Sequence, residues 1–226
     1  MAQPPYVAHD VDANAVTHAA TVRAAAARIV VFPELSLTGY EIAAAPIATG
    51  DPRLAPIVAA CAETGTVALA GAPVRDDAGH AHIAMLAIDC TGTTVAYQKI
   101  WVATSESQRF TPGAAPAVLE VDGWRLGLAI CKDTSVRQHQ TDTAALGIDA
   151  YVAGTLMHRH ETALQNDRSS QIAARLQVWV AVASFAGPTG AGYDAAAGCS
   201  GVWGPDGAVL AQAGPEPGSL ARAVLA

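Results

Sequence analysis

Ala117–Thr155 reads AVLEVDGWRLGLAICKDTSVRQHQTDTAALGIDAYVAGT, and this stretch holds two kinds of chain connection side by side. Ala117–Val121 and Trp124–Ile130 flank Asp122-Gly123, a two-residue turn signal between apolar runs, which predicts a β-hairpin. From Asp133 to Leu146 the segment reads as a helix closed by Gly147, and Ala150–Thr155 is then a short apolar run of strand length. Strand, helix and strand in that order form a βαβ unit, whose strands pair in parallel. A doubly wound parallel sheet has no need of the hairpin, and an all-β sandwich has none for the helix. An α/β fold of two mixed β-sheets face to face, with helices on the outer faces (an αββα sandwich), accommodates both.

The rest of the chain repeats the mixture. Asn14–Arg28 is alanine-rich and helical in propensity, with Asp12 near its start, and it runs into a buried-strand pattern at Ile29–Phe32. Pro33 stops that strand and leaves Glu34 at its end. Asp51-Pro52 opens a helix to about Glu63. Thr66–Pro73, Ala81–Asp89 and Thr93–Tyr97 read as strands, followed by a long polar segment, Gln98–Pro116, of a length that usually serves a function. Further on come a helix over roughly Glu161–Gln177 and a strand at Val178–Ser184. Gly187–Gly192 reads as a glycine-rich loop, Gly198–Trp203 with Ala208–Gln212 as a hairpin, and Ser219–Leu225 as a last strand. No repeat or linker divides the 226 residues.

Composition narrows the partners. Apolar residues make up 51% and charged residues 15%, with a net charge of −7. An acidic surface repels phosphate backbones, so no nucleic-acid partner is expected. No apolar run approaches the ~18 residues of a membrane span. Met1–Asp10 lacks the basic flank and apolar stretch of a signal peptide, so no membrane association and a cytoplasmic location are expected. Cys61, Cys90, Cys131 and Cys199 contain no CxxC pair and read as reduced thiols, with packing the expected role for Cys61, Cys90 and Cys199. Of the 13 basic residues only Lys99 and Lys132 are lysines. Where arginine serves every solvated charge, a lysine marks a need for a compact ammonium.

Glu34, Lys99 and Cys131 each follow a predicted strand, where ligand sites of open α/β sheets collect. Together they suit acyl transfer. A thiol needs a base or a neighbouring cation, a glutamate can take its proton and return it to a departing amine, and a lysine can stabilise the developing oxyanion. The histidines offer a rival: His80-x-His82 and His158-x-His160 have spacings seen at metal sites, with Asp89, Asp133 or Glu161 as carboxylates. Both pairs sit at turn or pre-helix positions, so no metal site is expected. No GxGxxG fingerprint or GxSxG elbow is present, and no cofactor is expected.

Arg28-Ile29-Val30-Val31-Phe32-Pro33-Glu34-Leu35, with Ser36-Leu37-Thr38-Gly39-Tyr40 after it, resembles the glutamate segment of the carbon–nitrogen hydrolase (nitrilase) superfamily. Tyr97-Gln98-Lys99 resembles the family's lysine segment, and Gly127-Leu128-Ala129-Ile130-Cys131-Lys132-Asp133 its nucleophile segment. The likeness extends through Phe110-Thr111-Pro112-Gly113 and Gly198–Gly207. It implies one carbon–nitrogen hydrolase domain over residues 1–226, with a shortened first strand, in an αββα sandwich that assembles as a homodimer or higher homo-oligomer. It also implies Glu34 as general base, Lys99 as electrostatic stabiliser and Cys131 as nucleophile. Glu106 falls where many amidases carry a second glutamate, and the backbone N–H of Lys132 joins Lys99 at the oxyanion. Lys132 replaces the usual aromatic, Trp101 stands where histidine is common, and Arg175-Leu176 where Glu-Asn is common. Asp133 points to the amidase and carbamoylase branches, with a small amide or carbamoyl compound as substrate and a thioester acyl-enzyme as intermediate. Nitrile hydrolysis by the same residues, and a catalytically silent binding or scaffold protein, are the alternatives.

Overall fold

The computed structural model describes residues 1–226. Helix α1 (Val11–Ala25) leads into β1 (Ile29–Val31), and α2 (Ala55–Thr64) into β2 (Val67–Arg75), β3 (Ala81–Asp89) and β4 (Gly92–Gln98). β5 (Val118–Val121) and β6 (Trp124–Ile130) precede α3 (Arg137–Ala144), β7 (Ala150–Thr155), α4 (Thr162–Leu176) and β8 (Trp179–Ser184). β9 (Ala186–Thr189), β10 (Tyr193–Ala197), β11 (Gly201–Trp203) and β12 (Val209–Gln212) complete the order. One sheet runs β1-β2-β3-β4 and the other β12-β11-β8-β7-β6-β5, with β9 and β10 a separate hairpin. β1 with β2, β6 with β7, and β7 with β8 pair in parallel. β2-β3-β4, β5-β6 and β8-β11-β12 pair antiparallel, so both sheets are mixed.

The period of two along the strands sorts side chains into layers. Val67 and Leu69 of β2 share a core with Leu126, Leu128 and Ile130 of β6 and Val152 of β7, which is the space between the sheets. The intervening Ala68, Ala70 and Ala72 face α1 and α2 instead, packing with Val22, Ile57 and Cys61. On the far side Ala129, Tyr151 and Ala153 meet Ile172 and Ala173 of α4. Helix, sheet, sheet and helix therefore stack as the αββα sandwich.

Five local expectations are corrected. α1 begins at Val11, because Asp10, not Asp12, caps it by accepting from Ala13 N at 2.9 Å. The helix expected over residues 133–146 is interrupted at Val136, whose extended backbone separates a 3-10 turn, Cys131–Ser135, from α3. The turn is held by the Asp133 carboxylate, which folds back onto Ile130 N at 2.9 Å. The glycine-rich loop is the tip of the β9–β10 hairpin, where Ala191 and Gly192 supply positive φ angles of 54° and 84°. Ser219–Leu225 does not form a strand, since only Leu220 bridges, to Ala2. Cys90, expected to pack, lies exposed in the turn after β3.

Gly71 of β2 lies directly under the Glu34 turn, where a Cβ would meet Leu35 N, Pro33 O and Glu34 C. All three are backbone atoms and cannot yield as a flexible side chain would. Gly71→Ala is expected to lower stability by about 1–3 kcal/mol, read by urea denaturation. An unchanged midpoint would show that the turn is not wedged against β2.

Candidate active site

Three strand ends deliver one reactive side chain each. After β1, Phe32-Pro33 carries the chain to Glu34, and Leu35 adopts a left-handed backbone at φ 52°. The turn closes through Ser36 N to Pro33 O at 3.2 Å and Thr38 N to Leu35 O at 3.0 Å. After β4, Lys99 is pinned by its own N–H to Ile83 O and by Gly113 N to its carbonyl, each at 2.8 Å. After β6, Cys131 also has a left-handed backbone, at φ 43°, which is uncommon for a residue with a side chain. Such strain persists only where the surroundings enforce it.

These ends converge. Lys99 Nζ donates to Glu34 Oε1 at 2.6 Å and reaches both oxygens of Glu106 at 2.8 Å. Glu106 also accepts from Tyr40 OH at 2.6 Å and Ala103 N at 2.5 Å, so its orientation is fully specified. Glu34 and Lys99 have no solvent-accessible side-chain surface, whereas Cys131 is half-buried. Cys131 Sγ points its proton at Leu156 O, 3.3 Å away. Glu34 Oε2 is buried without any partner, leaving one acceptor free in the cluster.

Charge and burial set the protonation states. Burial pushes the Glu34 carboxyl up to about 7; Lys99 pulls against this shift and Glu106 adds to it. Burial disfavours the Lys99 ammonium, but Glu34, Cys131 and Glu106 outweigh it and hold its pKa above the ordinary lysine value. Glu106 is buried too, yet Lys99 and Tyr40 keep it below the ordinary carboxylate value. Burial and then the Glu34 charge raise the Cys131 thiol, with Lys99 opposing them. These directions describe a neutral thiol beside a carboxyl that ionises near neutral pH and keeps one oxygen free.

Asp133 ties two of the strand ends together. Its carboxylate accepts from Ile130 N at 2.9 Å, Trp101 N at 2.9 Å and Tyr97 OH at 2.7 Å, joining the cysteine turn to the lysine segment. Behind it a buried relay continues, because Tyr97 OH meets His139 Nε2 and Tyr151 OH meets His139 Nδ1, each at 2.9 Å. Since Tyr97 donates to Asp133, His139 donates through Nε2 and accepts from Tyr151 at Nδ1. Burial lowers the His139 pKa, which agrees with that neutral tautomer.

With this geometry in view, the carbon–nitrogen hydrolase family model matches residues 1–224. The chain belongs to the carbon–nitrogen hydrolase family. Among solved structures, the chain superposes on a variant of the amidase from Nesterenkonia sp. AN1 with a TM-score of 0.87 and 23% identity, covering 99% of this chain and 91% of that one. That amidase carries the product of Michael addition of acrylamide at its active-site cysteine. Nit3 of Saccharomyces cerevisiae, a member of branch 10 of the nitrilase superfamily, superposes at 0.82 with 19% identity, covering 97% of this chain and 84% of Nit3. A curated relative, the hydrolase in the pqqF 5′ region of Pseudomonas protegens, is 28% identical over 146 residues, 61% of this chain. The match spans 51% of that relative, about half its length.

In this chain Glu34, Lys99 and Glu106 form one hydrogen-bonded cluster, and Cys131 adjoins Glu34. The Lys132 side chain is exposed and in no ion pair, so the argument from lysine scarcity fails for it. Trp101 is 42% exposed and contributes only its backbone N–H to Asp133. Arg175 donates to Gln140 Oε1, and Gln140 Nε2 reaches Thr134 O at 2.5 Å, which builds a support behind the cysteine turn. The histidine pairs do not assemble with the acids weighed for them: His80 and His82 both face Asp76, and His158 and His160 stack on one another.

Several contacts at the site carry no short-motif signal. Tyr40 orients Glu106, and Leu156 O accepts the thiol hydrogen bond. Tyr193 stacks flat on His158, centroids 4.1 Å apart, and meets Tyr40 edge-on at 5.6 Å. Burial, then the charges of Cys131 and Glu34, push Tyr193 up to about 12. His139 is the least legible, a lone histidine in a predicted helix. His139→Phe strands the Tyr151 hydroxyl and is expected to cost about 1–3 kcal/mol, with a lower kcat at unchanged KM. His139→Gln, which restores a donor and an acceptor, recovers part of both; wild-type kcat in His139→Phe would contradict a positioning role.

Proposed function

We propose that the protein hydrolyses a small non-peptide C–N bond, an amide or N-carbamoyl group, through a thioester on Cys131. The observation that carries this reading is Lys99 Nζ held between Glu34 and Glu106 beside a strained cysteine, with Glu34 Oε2 left free. Cys131 Sγ attacks the carbonyl carbon as its proton passes to Glu34 Oε2. Lys99 Nζ and the backbone N–H of Lys132, in the first turn after β6, stabilise the oxyanion. The tetrahedral adduct collapses, the C–N bond breaks, and Glu34 returns the proton to the departing ammonia or amine. Water then gives a proton to Glu34 and attacks the thioester; the C–S bond breaks, the acid leaves, and the proton returns to sulfur. Glu106 orients Lys99 throughout.

Family membership supports hydrolysis of C–N bonds, and the neighbouring Nesterenkonia amidase, one variant of which is in complex with butyramide, favours small amides. Ammonia release from a panel of short aliphatic amides, N-carbamoyl compounds and nitriles tests the reading. Turnover of amide or carbamoyl members supports it. Turnover of nitriles alone would replace it, and no turnover with no thiol labelling at Cys131 would favour a silent binding protein.

The base also sets a pH dependence. Attack needs Glu34 ionised, so kcat/KM is expected to climb with pH through a midpoint near 7. Stability runs the other way. A carboxyl whose folded pKa is raised contributes stability that is fully present below its unfolded value of about 4.3 and is lost as pH rises through the folded value. A midpoint near that of an ordinary carboxylate would contradict Glu34 as the base.

A further inference from the structure

Between the tip of the β2–β3 hairpin and the loop that carries Glu106 lies a groove of about 680 Å³, a size suited to a small molecule. Arg75 and His80 line it from the hairpin, and Ser105, Gln108 and Arg109 from the loop. Arg109 is fixed in place: Nη2 donates to Ala44 O at 2.5 Å, and the guanidinium lies 5.6 Å from the centre of the Phe110 ring. Its Nε is buried and meets no acceptor. Arg75 spends Nη1 on the carbonyl of Gly79 at 2.5 Å. Neither guanidinium faces a carboxylate, whereas Arg23, Arg28 and Arg53 are paired with Glu63, Asp122 and Asp51. Asp76, next in sequence to Arg75, is taken by His80 and His82.

Two guanidinium groups without a carboxylate partner therefore meet on one groove of a chain whose net charge is −7. A buried N–H without an acceptor costs free energy unless a ligand supplies one. Planar forks match the paired oxygens of carboxylate and phosphate. We infer that this groove binds the carboxylate or phosphate group of a small anion. An occupant bears directly on the site described above: Ser105 and Gln108 flank Glu106, and Arg109 N and Phe110 N donate to Glu106 O at 3.0 and 2.9 Å.

Calorimetric titration of the intact protein with citrate, and separately with inorganic phosphate, tests the groove without needing turnover. At about 0.15 M salt, where unspecific attraction is screened, saturable binding is expected, and Cys131→Ala leaves it unchanged. Arg75→Gln with Arg109→Gln weakens binding about tenfold or more. No saturation, or equal affinity in a folded double variant, overturns the proposal. If loss of the Ala44 contact unfolds the double variant, Arg75→Gln alone, at an exposed position, must still weaken binding, or the proposal is wrong. Kinetics then separate the sources, resting on the hydrolysis proposed above. If the bound group is the substrate's own acid, the double variant raises KM for the monoamide of a dicarboxylic acid and not for a neutral amide. If it is a separate anion, citrate or phosphate shifts turnover of the neutral amide in the wild type and not in the double variant. Saturable binding without any turnover would leave the groove standing and count against the hydrolase reading alone.

Discussion

Cys131→Ala is expected to reduce ammonia release from the best small amide by about 10⁴-fold or more, to the level left by binding and oxyanion stabilisation alone. The fold is expected to survive. The substitution removes one half-buried sulfur and its bond to Leu156 O, while the left-handed backbone at φ 43° is no harder for alanine than for cysteine. Cys131→Ser should be almost as inactive although it keeps a hydroxyl near Glu34. A carboxylate with a pKa of about 7 is a poor base toward an alcohol and an adequate one toward a thiol. Steady-state rates with circular dichroism on the same samples decide the matter. Substantial turnover in folded Cys131→Ala would place the chemistry elsewhere.

Lys99→Met carries the largest expected effect on stability. Methionine keeps the unbranched apolar stem, one atom shorter, and removes the charge, leaving Glu34 and Glu106 buried with no cation between them. Breaking a buried ion pair from one side costs about 3–5 kcal/mol, so the urea midpoint near neutral pH should fall sharply and turnover with it. The sign of the pH response identifies the cause. Without Lys99 both carboxyl pKa values rise above their unfolded values, so the folded state binds more protons, and lowering the pH from about 7 to about 5 restores stability. Adding Glu106→Gln should recover part of it at neutral pH, because one of the two opposed charges is gone. A loss that is independent of pH and of Glu106 would mean that Lys99 acts by packing.

The layers of the fold were legible because they rest on short-range chemistry. Asp122-Gly123 fixes a hairpin, Gly147 takes the positive φ of the turn that follows α3, and Ala150–Thr155 is too short and apolar for anything but a buried strand. The glutamate, lysine and cysteine segments were legible for a related reason: each ends such a strand. What escaped depends on partners far along the chain. The break at Val136 follows from Asp133 reaching across to Trp101 N and Tyr97 OH, more than thirty residues earlier. Tyr193 and His158 meet only because the β9–β10 hairpin folds over the segment that precedes α4, and glycine-rich composition read locally suggested a loop instead. His139 has no local signal, since its two tyrosine partners lie on β4 and β7.

The account depends on a sulfur, a carboxylate and an ammonium acting together as one acyl-transfer centre. Acid-quenching the wild-type protein during turnover of a short amide, followed by intact-mass measurement and peptide mapping, tests this most directly. The mass gain should equal the acyl group of the amide, map to the peptide containing Cys131, and vanish on treatment with hydroxylamine. Turnover that proceeds with the acyl group on another residue, or with no acyl-protein at any quench time while unmodified Cys131 is recovered in full, would contradict it.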